Sequence, residues 1–352
     1  MKSKTGLFLA LTLGVIFITS IIITQIHHPA GACGFEGGYD KAVYSTNGIK
    51  WKQTTLPEAS WYDVCYGNGK FVVVGSDYDE EKALANEGDG YIGIAAYSTD
   101  GIKWKKTTMP VLARRVCYGD GKFVATIDGG KIAYSVDGIK WKQPKLPDSM
   151  WVVHICYGNG KFVATSTNSG AYSTDGIKWK QTTLPEGYWY GVCYGNGKFA
   201  AVGEDYDKDK GVYTGIAAYS ADGINWKQAT IHNAVWQSVC YGNGKFIAVG
   251  KCSAAYSTDG INWKQAAISD ANWSSVCYGN GKFVASALGY YSAHSYTTER
   301  EKYTETIAAY STDGINWKKT ETIIEQGCYF SNNRICYGKG KFIIVDSISC
   351  TP

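Results

Sequence analysis

Arginine is scarce in this 352-residue chain: Arg114, Arg115, Arg300 and Arg334 are the whole set, and the formal net charge is only +4. With the lysines dispersed through the sequence, that charge is too small to argue for a nucleic-acid partner. Proline is sparse as well, at 7 residues, and beyond the N-terminus no stretch carries a helical period. The 11 cysteines include no CxxC pair, so the usual ligand spacing of a zinc site is missing. What is plentiful is glycine at 42 residues, tyrosine at 27 and tryptophan at 12, the profile of a turn-rich, aromatic-rich, exported all-β protein.

Two phrases recur. The first, YSTDGINWKQ at 256–265, returns with small changes at Tyr44, Tyr97, Tyr134, Tyr172, Tyr219 and Tyr310, and only the first copy replaces the aspartate, with Asn47. A catalytic residue is not needed seven times. Ser and Asp side chains bond to their own turn backbone and Gly supplies a positive φ, so the boxes read as turns between two short strands. The second phrase, CYGNGKF or a near variant, starts at Cys65, Cys117, Cys156, Cys193, Cys240, Cys277 and Cys336. The shortest spacing, Cys240 to Cys277, falls in the range of periods that marks solenoids, propellers or arrays.

One repeat holds four strands: NWSSVCYG, then KFVAS after the GNG turn, then AAYS, then INWKK. A four-stranded unit repeated seven times closes best as a β-propeller, which leaves only short, protected edges. The repetitive region opens with a lone third–fourth strand pair (Ala42 to Lys52) and ends with a lone first–second pair (Arg334 to Val345). The expectation is therefore an all-β, seven-bladed propeller whose last blade is shared between both termini. Blades one to six begin near Trp61, Leu112, Trp151, Trp189, Trp236 and Trp273.

The boxes resemble those of the Asp-box, or bacterial neuraminidase repeat, propellers, and the resemblance covers about residues 41 to 346. They are one residue shorter before the glycine than the usual sialidase form, S-x-D-x-G-x-x-W. The resemblance implies the fold; it also admits non-enzymatic propellers, such as photosystem assembly factors and secreted bacterial proteins. Sialidases use an arginine triad, a Tyr–Glu nucleophile pair and an acid–base aspartate. Here there is no RIP segment, and glycoside hydrolysis needs two disposed carboxylates where only Asp63 lies on an inner strand. The expected function is a non-catalytic binding or interaction propeller with a glycan or protein ligand; sialidase-like hydrolysis is the alternative.

Residues 1–32 form a separate object. Gly6 to Ile26 is an uncharged, mostly apolar run long enough to span a bilayer, and Lys2 and Lys4 favour a cytoplasmic start. A membrane anchor and a cleaved signal peptide both fit, the latter with Ala30 to Ala32 as its small-residue site. Either places the propeller, residues 33–352, outside the cytoplasm, as a monomer. Seven cysteines belong to the repeated phrase and read as small core residues spaced around an axis. The other four, Cys33, Cys252, Cys328 and Cys350, map to one end of the ring. An unlipidated Cys33 is expected to pair with Cys350 and clasp the composite blade, with Cys328 as competitor.

That same end carries the diversity. Long insertions between the second and third strands occur in blades one, four and six, and varied loops on a rigid frame are a common way to build binding surfaces. The position two residues before each repeated cysteine reads Asp63, Arg115, His154, Gly191, Ser238, Ser275 and Arg334, so its ionisable members form one continuous arc. Strand alternation puts Trp61, Trp189, Trp236 and Trp273 on the same side as that arc. The ligand-binding expectation is therefore Asp63, Arg115, His154 and Arg334 with those four tryptophans. In DYDKDKG, Asp205, Asp207 and Asp209 alternate as in an oxygen-rich cation loop, which makes calcium the one candidate cofactor.

Overall fold

A computed structural model describes residues 41–84, 90–127, 130–144, 152–208, 211–290, 304–320, 323–326 and 333–345. These form seven antiparallel sheets arranged as a β-propeller. Blade one is typical: strands Ser60–Gly67, Lys70–Tyr78, Tyr91–Ser98 and Lys105–Thr108 pair in chain order, from the channel outwards. Among the described residues blade two has three strands, with an isolated bridge between Tyr134 and Lys142 at the place of the fourth. The seventh sheet joins the two ends of the described chain, because Lys41–Ser45 pairs with Lys341–Val345 through Ala42↔Val345 and Ser45↔Phe342.

The second and third strands are apolar on both faces because each sheet is sandwiched between two neighbours. Phe71, Val73, Ile94 and Ala96 pack towards blade seven, whereas Val72, Val74 and Ala95 pack towards blade two. The fourth strands are short and lysine-bearing, which protects the outer edge from pairing with other chains.

The boxes are turns. In blade five the Asp259 carboxylate Oδ1 accepts the backbone N–H groups of Ile261 and Asn262 at 2.8 and 2.9 Å, and the Ser257 hydroxyl accepts that of Gly260 at 2.9 Å. Asn47 does the same work in blade seven with an amide oxygen, bonding Ile49 and Lys50 at 2.9 Å. In the GNG turns Asn68 and Gly69 both take positive φ, 46° and 74°, as a two-residue hairpin turn requires. The Asn68 amide then donates to the carbonyl of Val136 in the blade-two box, and Asn196 donates to Thr258 in the blade-five box. Asn243 and Asn280 make the same bond to Thr312 and Thr46, so in four blades one motif ties the turn to the next blade.

The glycine ending each CYG makes a second tie. A Cβ built on Gly67 would lie 2.0 Å from the Tyr118 ring of blade two, and one on Gly195 would lie 2.0 Å from Cγ of Tyr241. The series runs right round the ring and closes with Gly338 against Tyr66. Glycine stands there because the next blade's tyrosine fills the space of a side chain.

Among the described residues no helix is long and apolar enough to cross a membrane; the run Gly6 to Ile26 lies outside them. Cys33, Cys328 and Cys350, and so the expected clasp, also lie outside, as does Trp151. The seven repeated cysteines and the exposed Cys252 are free thiols. Burial pushes the repeated thiols up in pKa, so they stay protonated and act as packing groups.

Candidate functional site

The inner strand of each blade pairs on one side only, so alternate N–H groups on its channel edge lack a ladder partner. The position two residues before the repeated cysteine meets that need across the blade boundary. Asp63 Oδ2 accepts the N–H of Val116 in blade two at 2.9 Å, and Ser238 and Ser275 accept those of Val276 and Ile335 at 3.3 Å. The basal role of this position is a latch between blades.

Arg115, His154 and Arg334 depart from that role. Arg334 is buried, with 8% of its surface open; its Nη1 donates to the Ser274 carbonyl at 2.9 Å. Its Nε has no hydrogen-bond partner among the described residues. Arg115 Nη1 donates to the Arg114 carbonyl at 2.8 Å. Burial raises the Asp63 pKa, and the fields of Arg115 and Arg334 oppose that rise. His154 is held well below its usual pKa, first by burial and then by the same two arginines, so it is neutral near pH 7. Asp63, Arg115, His154 and Arg334 therefore share one electrostatic environment although they come from four blades.

The tryptophans are not part of it. Each bladed strand that carries one bulges just after it: the register shifts between Trp61 and Asp63, Trp189 and Gly191, Trp236 and Ser238, and Trp273 and Ser275. The extra residue inverts the alternation, so tryptophan and arc residue face opposite sides of the strand. Trp61, Trp189, Trp236 and Trp273 are buried in the blade cores. Their indole N–H groups are satisfied by the carbonyls of Pro57, Pro185, His232 and Ser269. They pack the fold and offer no surface to a ligand.

The bulge residues themselves form a set that strand alternation hides. Arg114 lies over the ring of Tyr62 at 4.5 Å, and the Tyr62 hydroxyl is 2.7 Å from that of Ser76. Tyr190 donates to Glu204 Oε1 at 2.9 Å, and its ring meets that of His154 edge-on at 6.2 Å between centroids. The sequence signal is the position three residues before each cysteine, which reads Tyr62, Arg114 and Tyr190 in these blades. These residues extend the arc at the end of the channel where the long hairpins rise.

The expected calcium loop is in part a strand. Asp205 and Asp207 belong to Lys198–Asp207, which pairs with Val212–Ser220; Asp205 Oδ1 accepts the N–H of Tyr206. Asp209 lies outside the described residues. Among the described residues no three His, Cys, Asp or Glu side chains gather as a metal site.

No family model and no curated protein matches the chain. Solved structures do. YCF48 from Cyanidioschyzon merolae is 12% identical with a TM-score of 0.55, the match covering 85% of this chain and 96% of that one. The WD40 β-propeller domain of Doa1 is 12% identical with a TM-score of 0.58, covering 88% and 94%. The extracellular domain of BT4673 from B. thetaiotaomicron is 9% identical with a TM-score of 0.53, covering 82% of this chain and 37% of that one. At such identities the likeness establishes the propeller fold and says nothing of the ligand.

Proposed function

We propose that this chain is an extracytoplasmic, non-catalytic binding propeller that holds a glycan or protein ligand at the variable end of its channel. Arg115, His154 and Arg334 recognise an anionic group of that ligand, Asp63 sets the field around them, and Tyr62, Arg114 and Tyr190 border the site. The observation that carries this reading is lopsidedness. The box end is built alike in every blade and its polar groups are taken up by turns and blade-to-blade bonds. The arc position needs only a small acceptor, as Ser238 and Ser275 show, yet one side of the ring carries the buried Arg334, the half-buried Arg115 and a neutral histidine. A buried guanidinium donor without a partner costs about 1–3 kcal/mol or more, which a ligand oxygen would recover.

A second reading, sialidase-like hydrolysis, is favoured by one contact: the Tyr190–Glu204 hydrogen bond beside His154, which supplies a Tyr–Glu pair and a carboxylate besides Asp63. Screening the full chain on a glycan array, alongside fluorogenic sialosides, separates the two. Retention of acidic glycans without turnover supports binding. Turnover that Tyr190→Phe abolishes supports hydrolysis. Retention of no acidic glycan and no turnover refutes both hydrolysis and a glycan ligand for the arc.

A further inference from the structure

Three hairpins overshoot the others at the variable end. In blades two, three and five the second strand stops at Ile127, Thr165 and Gly250; in blades one, four and six it runs on to Tyr78, Asp207 and Tyr290. Tyr78, Tyr206 and Tyr290 each stand seven residues beyond the buried phenylalanine of their blade, Phe71, Phe199 and Phe283. At about 3.3 Å per residue, that level is about 10 Å beyond the short hairpins.

In two of the three blades this level holds a cross-strand tyrosine pair. Tyr78 faces Tyr91 with ring centroids 5.5 Å apart, and the two are 51% and 56% exposed. Tyr206 faces Tyr213 at 5.0 Å, with 42% and 52% exposed. Cross-strand aromatic pairing stabilises a hairpin by about 0.2–1 kcal/mol and explains why the rings touch. It does not explain why the same pair recurs at the same height in two blades, each time directly after an aspartate that caps the tyrosine N–H, Asp77 and Asp205. Ring faces beside carboxylates on a paired, pre-ordered hairpin suit a cation: the ring quadrupole attracts it and the carboxylate completes the pair. The chain uses both contacts itself, Lys106 Nζ on Asp77 Oδ2 at 2.6 Å and Arg114 over Tyr62 at 4.5 Å.

We propose that the tyrosine pairs of blades one and four are two docking points for one lysine- or arginine-bearing segment of a protein partner, which lies across the variable end of the ring. The charge around each pair selects that occupant. Asp77, Asp79, Glu80 and Glu81 lie within three residues of Tyr78 against Lys82 and the Asp77-bound Lys106, and Asp205 and Asp207 adjoin Tyr206 against Lys208, so the described residues of both hairpins keep a net negative charge in a chain whose overall charge is positive. The surface uses none of the arc residues, so it stands whether or not the arc binds an anion.

The test is fluorescence anisotropy of the full chain with three labelled dodecapeptides, alternating glycine with arginine, glutamine or glutamate. The expected result is binding of the arginine peptide alone, weakened by salt, weakened at least tenfold by the double change Tyr78→Ser with Tyr206→Ser, retained in Tyr78→Phe with Tyr206→Phe, and unaffected by Arg115→Ala. Because both positions are exposed, the variants are expected to melt within a few degrees of the parent, which circular dichroism checks. The proposal is overturned if the arginine peptide does not bind, if the glutamine peptide binds as well, or if the serine variant binds undiminished. It is also overturned if sedimentation shows self-association that the serine variant removes, since a second copy would then be the occupant.

Discussion

Replacing Gly195 by alanine should loosen the joint between blades four and five. The added Cβ would sit 2.0 Å from Cγ of Tyr241, 2.3 Å from its Cδ2 and 2.5 Å from its Cβ, so the ring or the strand has to move. Tyr241 has little room, because its ring packs 4.8 Å from that of the fully buried Phe246. Overpacking of this kind costs about 1–3 kcal/mol. At about 2–4 °C per kcal/mol for a large domain, the melting temperature should fall by about 2–12 °C. Thermal unfolding followed by circular dichroism reads the shift, and a double-mutant cycle assigns its cause. Tyr241→Gly removes both the ring and the Cβ that the alanine would meet, and the double variant is less destabilised than the sum of the singles by about 1 kcal/mol or more. An unchanged melting temperature in Gly195→Ala, or strict additivity in the cycle, would refute the notch-and-ring account of how the blades join.

Three further outcomes follow from the same structure. Asp259→Ala should lower stability by about 1–3 kcal/mol, as two turn N–H groups lose their acceptor, and leave the affinity for any retained glycan unchanged; a selective loss of affinity at constant melting temperature would contradict the structural role. Since His154 titrates below its unfolded value of about 6.5, the unfolded chain takes up a proton that the folded chain refuses, so His154 makes stability fall as pH drops from 7 to 5. Asp63, whose pKa is raised, acts in the opposite sense, so the informative quantity is the difference between the parent and His154→Gln. That variant should show a flatter fall, and parallel curves would remove the buried, neutral histidine from the account. Calorimetry with calcium should detect a site only if Asp205, Asp207 and Asp209 converge; heat that disappears in Asp205→Asn would establish one, and silence would dispose of it.

Most of the architecture was legible because it is written seven times. The order of the phrases at the two ends predicts the composite blade, which the Ala42↔Val345 pairing realises. The Ser, Asp and Gly of the boxes predict turns, and their hydrogen bonds are those of turns. The tryptophans show where the reading failed. A bulge adds one residue without any composition of its own, since its extra position holds Tyr62, Arg114, Tyr190, Gln237 and Ser274 in different blades. Alternation counted through it puts Trp61 on the channel side, when the register places it in the core. The Tyr190–Glu204 contact was hidden for a different reason, because it joins two strands and depends on how far the blade-four hairpin extends. Asp63 and Arg115 lie between such a bulge and the repeated cysteine, and the described registers of His154 and Arg334 contain no shift, so alternation counts correctly there.

The central claim is that one side of a seven-fold frame has been turned into a ligand site. Its most direct test is to titrate each acidic glycan retained on the array into the parent protein, Arg115→Ala, Arg334→Ala and Ser238→Ala. All four occupy or spare equivalent positions of the ring, so a purely structural arc would make the three substitutions alike. The account predicts a loss of about tenfold or more in affinity for each arginine variant and little change for Ser238→Ala, with all variants folded. Equal affinities across the three variants would contradict it.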